Sequence, residues 1–226
     1  MKTQLCSEKR EGLAAWCLYD WANSAFATTV MAGFFPIFFE KYWSNPELVD
    51  QSTFYLGVSN SAGSLIVAMM APFLGAVSDT GSTKKKFLFT FAFLGILATS
   101  LLWFVEQGDW QLAAILYAVG AIGFASSNVF YDSLLPSVAK KQEFDFVSSL
   151  GYSMGYLGGG VLFIINILMY QNPQWFGIPD ATTAIRLSFV SVAVWWGIFS
   201  VPIFLFIPEP NNKDNVSLTR NLKVKK

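Results

Sequence analysis

Apolar and polar positions run along this chain in long blocks rather than in the short periods of a soluble fold. Six uncharged stretches, at 21–39, 51–78, 87–105, 110–131, 146–179 and 187–208, occupy 144 of the 226 residues and are separated only by short charged clusters. Each is long enough to cross a bilayer as a helix. The hydrocarbon layer takes roughly 20 apolar residues at the helical rise, and a helix satisfies its own backbone amides where no water can. The pattern predicts an all-α membrane protein of six transmembrane helices, near 13–39, 53–77, 87–105, 112–135, 147–170 and 185–207. A short segment at 1–12 precedes them and a polar tail at 208–226 follows. The link at 106–111 is so short that spans three and four must be antiparallel neighbours.

Charge adds a direction to this picture. Charged residues make up only 13% of the chain, about half the ~25% of a soluble domain, and the net charge of zero conceals an asymmetry. Of the 15 basic residues, 13 fall before span one or after spans two, four and six, and only Lys41 and Arg186 fall in the alternate links. The positive-inside rule therefore predicts an integral multi-pass protein with both termini in the cytoplasm. Trp103, Trp110 and Trp175 lie near the expected outer boundaries, where amphipathic rings prefer the headgroup layer.

Other counts exclude chemistry. The chain has no histidine, which removes histidine-dependent catalysis and histidine metal or haem sites; an enzyme is not expected. Cys6 and Cys17 lie at the cytoplasmic end of span one without metal-ligand spacing. No nucleotide-binding loop is present, and no cofactor, metal or nucleic-acid partner is implied.

The inner link between spans two and three reads Gly75-Ala-Val-Ser-Asp79-Thr-Gly81-Ser-Thr-Lys84-Lys85-Lys86. Gly75 permits close helix approach, Asp79 can cap a helix or pair with a cation, Gly81 permits a tight turn, and Lys84 and Lys85 anchor the loop at the cytoplasmic face. A polar turn obeying the positive-inside rule would read similarly. The motif resembles the signature loop of the major facilitator superfamily, although Thr80 and Ser82 stand where that pattern usually has basic residues. Further stretches are Tyr19-Asp-Trp-Ala-Asn-Ser-Ala-Phe26, Phe130-Tyr-Asp-Ser-Leu-Leu-Pro136, Gly151-Tyr-Ser-Met-Gly-Tyr-Leu-Gly-Gly159, Arg186-Leu-Ser-Phe, Val194-Trp-Trp-Gly197 and Pro208-Glu209. Together they are similar to the vacuole-effluxer family of facilitators, which includes fungal vacuolar amino-acid exporters.

The resemblance implies a secondary transporter moving a small solute, an amino acid in the first instance, by alternating access. The membrane would be the plasma (inner) membrane in a bacterium and the vacuolar membrane in a fungus. Facilitators carry about twelve spans in two six-helix halves, each of two inverted three-helix repeats, with the solute site between the halves. This chain resembles the N-terminal half, so its partners would be the bilayer, the solute, and either a C-terminal six-helix half or a second copy. The alternative is a truncated, non-transporting membrane fragment or partner subunit.

Spans one and four face the central path in that family, and each carries a polar stripe. Asp20, Asn23, Ser24 and Ala27 share one helical face, as do Asn128, Tyr131 and Asp132. An ionised carboxylate in hydrocarbon costs about 2.5–3.5 kcal/mol, so such stripes should face protein or water. Asp20 and Asp132 either bind a substrate amine or carry a proton, or else lie near the interface, hydrated and fixing topology. On span five, Gly151, Gly155 and Gly159 recur every four residues, predicting a helix contact either with the opposite half or within the bundle. Gly57, Ser61, Ser64 and Ala68 give span two a similar face. Pro36, Pro72 and Pro202 are expected to kink or terminate helices.

Overall fold

A computed structural model describes residues 2–44, 49–80 and 83–209. The described regular structure is helical, with no strand among the described residues. The long helices are α1 (Lys2–Ala25), α2 (Val49–Thr80), α3 (Lys84–Leu101), α4 (Trp110–Ser133), α5 (Phe144–Gln171) and α6 (Ala181–Phe206). Five helical runs are long and apolar enough to cross a membrane: Arg10–Trp43, Lys84–Phe104, Trp110–Val138, Lys141–Gln171 and Ala181–Phe206. The block pattern predicts six. In α2 (Val49–Thr80) the apolar stretch among the described residues is Gly63–Ala76, shorter than a full span.

The first helical run does not end with α1. Beyond Ala25 it continues through a wide π-helical stretch, Phe26–Phe34, a single α turn, Phe35–Phe38, and a second wide stretch, Phe39–Trp43. Pro36 explains part of this: it has no N–H to donate and its ring crowds the preceding turn, so the helix widens rather than breaks. Phe35 N–H bonds back to the Val30 carbonyl, five residues away. Pro72 and Pro202 likewise lie inside α2 and α6 without ending them.

Packing places the helix ends in two groups. At one end, Lys84 Nζ donates to Ser133 O (3.0 Å), Lys85 Nζ to Phe204 O (2.6 Å) and Ile207 O (2.7 Å), and Gly12 lies against Val138 and Phe206. At the other, Trp43 Nε1 donates to Val105 O (3.4 Å), Gly108 N–H to Tyr42 O (3.2 Å), and Tyr55 stacks on Trp110 with centroids 4.3 Å apart. Arg186 also closes this second end, donating through Nε (2.9 Å) and a terminal N–H to Trp103 O while lying over the Trp103 ring. Successive helices therefore alternate direction. α1 packs along α5 and α6, α4 along α2 and α3, and α3 against α6.

The surface is inverted relative to a water-soluble core. Phe93, Ile115, Ile164, Ile198 and Leu205 are exposed, while Thr99, Ser126, Ser127, Asn166 and Ser188 are buried, as are the large rings of Trp16, Trp43 and Trp196. Apolar exteriors of this extent belong in lipid. The glycine face of α5 is filled by α1 of the same chain. A Cβ on Gly151 would meet the Trp16 ring at 2.4 Å, one on Gly158 the Trp21 carbonyl oxygen at 2.4 Å, and one on Gly159 the Ser24 carbonyl at 2.9 Å. Thr28 Oγ1 donates to Gly159 O (3.2 Å) across this contact. On α2, Gly57 and Ser61 line an open groove with Phe54, Val58 and Leu65, whereas Ser64 and Ala68, also exposed, line a cavity shared with α4.

Lys85 caps the last helix. The final carbonyls of a helix have no partner within it, and a cation there is favoured by the dipole; Lys85 supplies two charged bonds, and its own N–H donates to Glu209 Oε1 (3.2 Å). Lys85→Met is expected to cost on the order of 3 kcal/mol, since a hydrogen bond to a charged group is worth about 1.5–3. Thermal melting in detergent should show the drop, with faster amide exchange in the last turn of α6. An unchanged melting point would contradict the cap.

The opposite end of α6 has a conventional cap. Asp180 accepts from Thr183 N–H (2.8 Å) and Thr183 Oγ1 (2.9 Å), and these bonds hold its carboxyl below the usual carboxylate range. A depressed folded value means the cap contributes above the ordinary carboxylate range and is lost as pH falls through the folded value. The protection factor of the Thr183 amide, its exchange rate relative to the intrinsic rate at the same pH, is expected to fall on acidification in the parent and to be low at every pH in Asp180→Ala.

Candidate functional site

The polar stripe of α1 faces a cavity of about 280 Å³. Helical periodicity aligns Asp20, Asn23 and Ser24 on one side of α1, and α4 brings Asn128 to meet them. Asn23 Nδ2 donates to Asn128 Oδ1 at 2.5 Å, and Ser24 Oγ donates to Asp20 Oδ1 at 3.2 Å. Asn23 is buried within the wall, whereas Asp20, Ser24 and Asn128 are half-buried. Ala27, Thr28 and Phe124 continue the lining, and Tyr152 and Tyr156 of α5 stand at its mouth.

Gly155 lets this wall form. A Cβ there would fall 2.6 Å from Ser24 Oγ and 2.9 Å from Asp20 Oδ1, so the bare backbone of α5 is what leaves room for the carboxylate. The resulting surface offers one carboxyl, two amides and four hydroxyls, two of them phenolic. It can accept hydrogen bonds from a cationic group and exchange them with water, and among the described residues its lining contains no lysine or arginine.

The remaining expected site residues lie elsewhere. Tyr131 is buried in a stack with Trp16 (centroids 4.3 Å, 15° between planes) and beside Tyr19 (5.1 Å), with Trp16 Nε1 donating to its carbonyl at 3.2 Å. Asp132 is exposed at the lysine-rich end and does not line the cavity. In the signature loop, Gly75 has nothing within 4 Å of a would-be Cβ; the Asp79 side chain and Gly81 lie outside the described residues. Among the described residues no group of three histidine, cysteine, aspartate or glutamate side chains could hold a metal. Sequence reasoning missed Tyr152, Tyr156, Thr28 and Phe124. The tyrosines carried a readable signal, an i, i+4 pair straddling the middle glycine of the span-five repeat.

A second cavity of about 300 Å³ lies on the other side of Phe124. Met31, Val67, Ala118 and Ala121 make it apolar.

The family model for "Vacuole effluxer Atg22 like" proteins matches residues 48–224. The chain belongs to that family. An uncharacterized MFS-type transporter, YxiO of Bacillus subtilis (strain 168), is 38% identical over 84% of this chain and 45% of its own length. Autophagy-related protein 22 of Pichia angusta is 23% identical over 90% of this chain and 49% of its own, and an uncharacterized protein of Aquifex aeolicus 27% over 90% and 47%. The chain spans about half the length of these curated relatives. It is thus a multi-pass membrane protein of a facilitator-type transporter family, the vacuole effluxers.

Proposed function

We propose that this chain is the N-terminal, six-span half of a facilitator-type secondary transporter, that Asp20, Asn23, Ser24 and Asn128 form one wall of its solute path, and that the solute is a small amine such as an amino acid. The observation that carries the reading is the polar cavity itself: a carboxyl and two amides gathered on two helices of a protein otherwise clad in apolar side chains. Burying such groups against lipid would be costly, so water or a second protein body covers them. Proton coupling through Asp20 belongs to the same proposal.

Neighbour relations support the two-repeat architecture. Exchanging α1–α3 with α4–α6 turns the contacts of α1 with α5 and α6 into those of α4 with α2 and α3, as inverted repeats require. Traversal by α2 from the Tyr42 end to the Lys84 end supports six crossings. Lys84, Lys85, Lys86, Lys140 and Lys141 share one end, and Lys41 and Arg186 the other, which supports a cytoplasmic location for both termini. The signature loop, with Gly75, Asp79 and Gly81, then joins α2 to α3 on the cytoplasmic side.

A single wall favours the further reading that the chain needs a second six-helix body, a C-terminal half or another copy, before it transports. Amino-acid flux in proteoliposomes, with the chain alone and with a second half co-reconstituted, tests both. Flux is expected only with the second half. Flux by the isolated chain would overturn the one-wall reading, and none from the pair across a broad panel would overturn the amino-acid assignment.

A further inference from the structure

The tyrosines at the cavity mouth have a specific relation to Asp20. Tyr152 and Tyr156 are one turn apart on α5, each 64% exposed, with rings edge to face at 4.9 Å and hydroxyl oxygens 3.2 Å apart. Gly155 lies between them, and its missing side chain is where the Asp20 carboxylate rests. One ring therefore precedes the carboxylate by three residues along α5 and the other follows by one. With Phe124 across the cavity, three aromatic rings and one carboxylate share the space, and no described basic side chain lines it.

We propose that Tyr152 and Tyr156 form, with Asp20, an aromatic recognition site for an organic ammonium group, and that methylated as well as primary ammonium ions are ligands. The inference rests on the reading of this cavity as a solute path and names the group of the solute that it holds. A carboxylate alone favours a primary ammonium, whose three N–H groups it can accept. Aromatic faces attract the cation through the ring quadrupole and need no N–H donor, so they admit a quaternary ammonium too. The two contributions separate by ligand.

The test is a ligand-observed NMR titration of the full chain in maltoside detergent with methylammonium and tetramethylammonium. The parent is expected to bind both. Tyr152→Ala with Tyr156→Ala should weaken tetramethylammonium about tenfold and methylammonium less, as loss of the cation–π share requires. Restoring the rings with Tyr152→Phe and Tyr156→Phe should recover the lost affinity, and Asp20→Asn should weaken both ligands. The inference is overturned if the double alanine variant binds tetramethylammonium like the parent, or if the parent binds methylammonium alone or neither ion. None of those results touches the solute-path reading, which the flux experiment decides separately.

Discussion

Asp20→Asn in the proposed two-half transporter is expected to abolish solute uptake or to uncouple it from its driving ion. The carboxylate sits on the α5 backbone at Gly155, accepts from Ser24 and lines a cavity that no described basic side chain enters. Asparagine keeps the shape and the hydrogen-bonding reach but loses the charge and the ability to carry a proton. An ammonium partner at a partly desolvated site is worth several kcal/mol, and every 1.4 kcal/mol is about tenfold in affinity; uptake should fall by at least about one order of magnitude. Asp20→Glu keeps the charge but adds a methylene where a Gly155 Cβ already has no room, so partial activity is expected. Initial uptake rates at matched protein levels in membranes are the measurement. Uptake by Asp20→Asn at the parent rate would refute the assignment.

Gly158→Leu is expected to eliminate the folded, detergent-stable protein. A Cβ at this position falls 2.4 Å from the Trp21 carbonyl oxygen and 2.6 Å from its ring, and the first of these neighbours is backbone. That carbonyl is further held by Trp195 Nε1 (3.2 Å), while the Trp21 and Trp195 rings stack at 5.7 Å. Neither helix can yield without breaking the contact of α1 with α5 or α6. Overpacking costs about 1–3 kcal/mol even where side chains can give way, and a clash with backbone lies above that range. Gly158→Ala should lose a smaller part. Gel filtration and thermal melting in detergent decide it; a Gly158→Leu protein that elutes and melts like the parent would contradict the packing described above.

What the chain disclosed before its structure, and what it withheld, follow different physics. Lipid demands long apolar helices and tolerates few charges, so the blocks and the lysine asymmetry are visible to inspection. The period of 3.6 residues aligns Asp20 with Asn23 and Ser24, and those residues do share the cavity wall with Asn128. The same period aligns Tyr131 and Asp132 with Asn128, yet near its end α4 buries Tyr131 against Trp16 and leaves Asp132 exposed. How a helix end is rotated depends on its neighbours rather than on its own pattern. The glycine groove of α5 is legible, but its occupant, α1, is not, because small residues advertise a close contact without naming a partner. Gly95 and Gly123, where α3 and α4 approach backbone to backbone, carry no repeat at all. The wide turns between Phe26 and Trp43 also leave no periodic trace.

The proposed orientation sets the bundle in lipid with its lysine-rich end in the cytoplasm. The most direct measurement is labelling of single cysteines by a membrane-impermeant thiol reagent, in intact cells and in inside-out vesicles, on a Cys6→Ala, Cys17→Ala background. Lys86→Cys and Lys141→Cys are expected to react only from the cytoplasmic side, and Lys41→Cys and Gln107→Cys only from the other. Reaction of Lys86→Cys and Lys141→Cys from opposite sides would contradict the account.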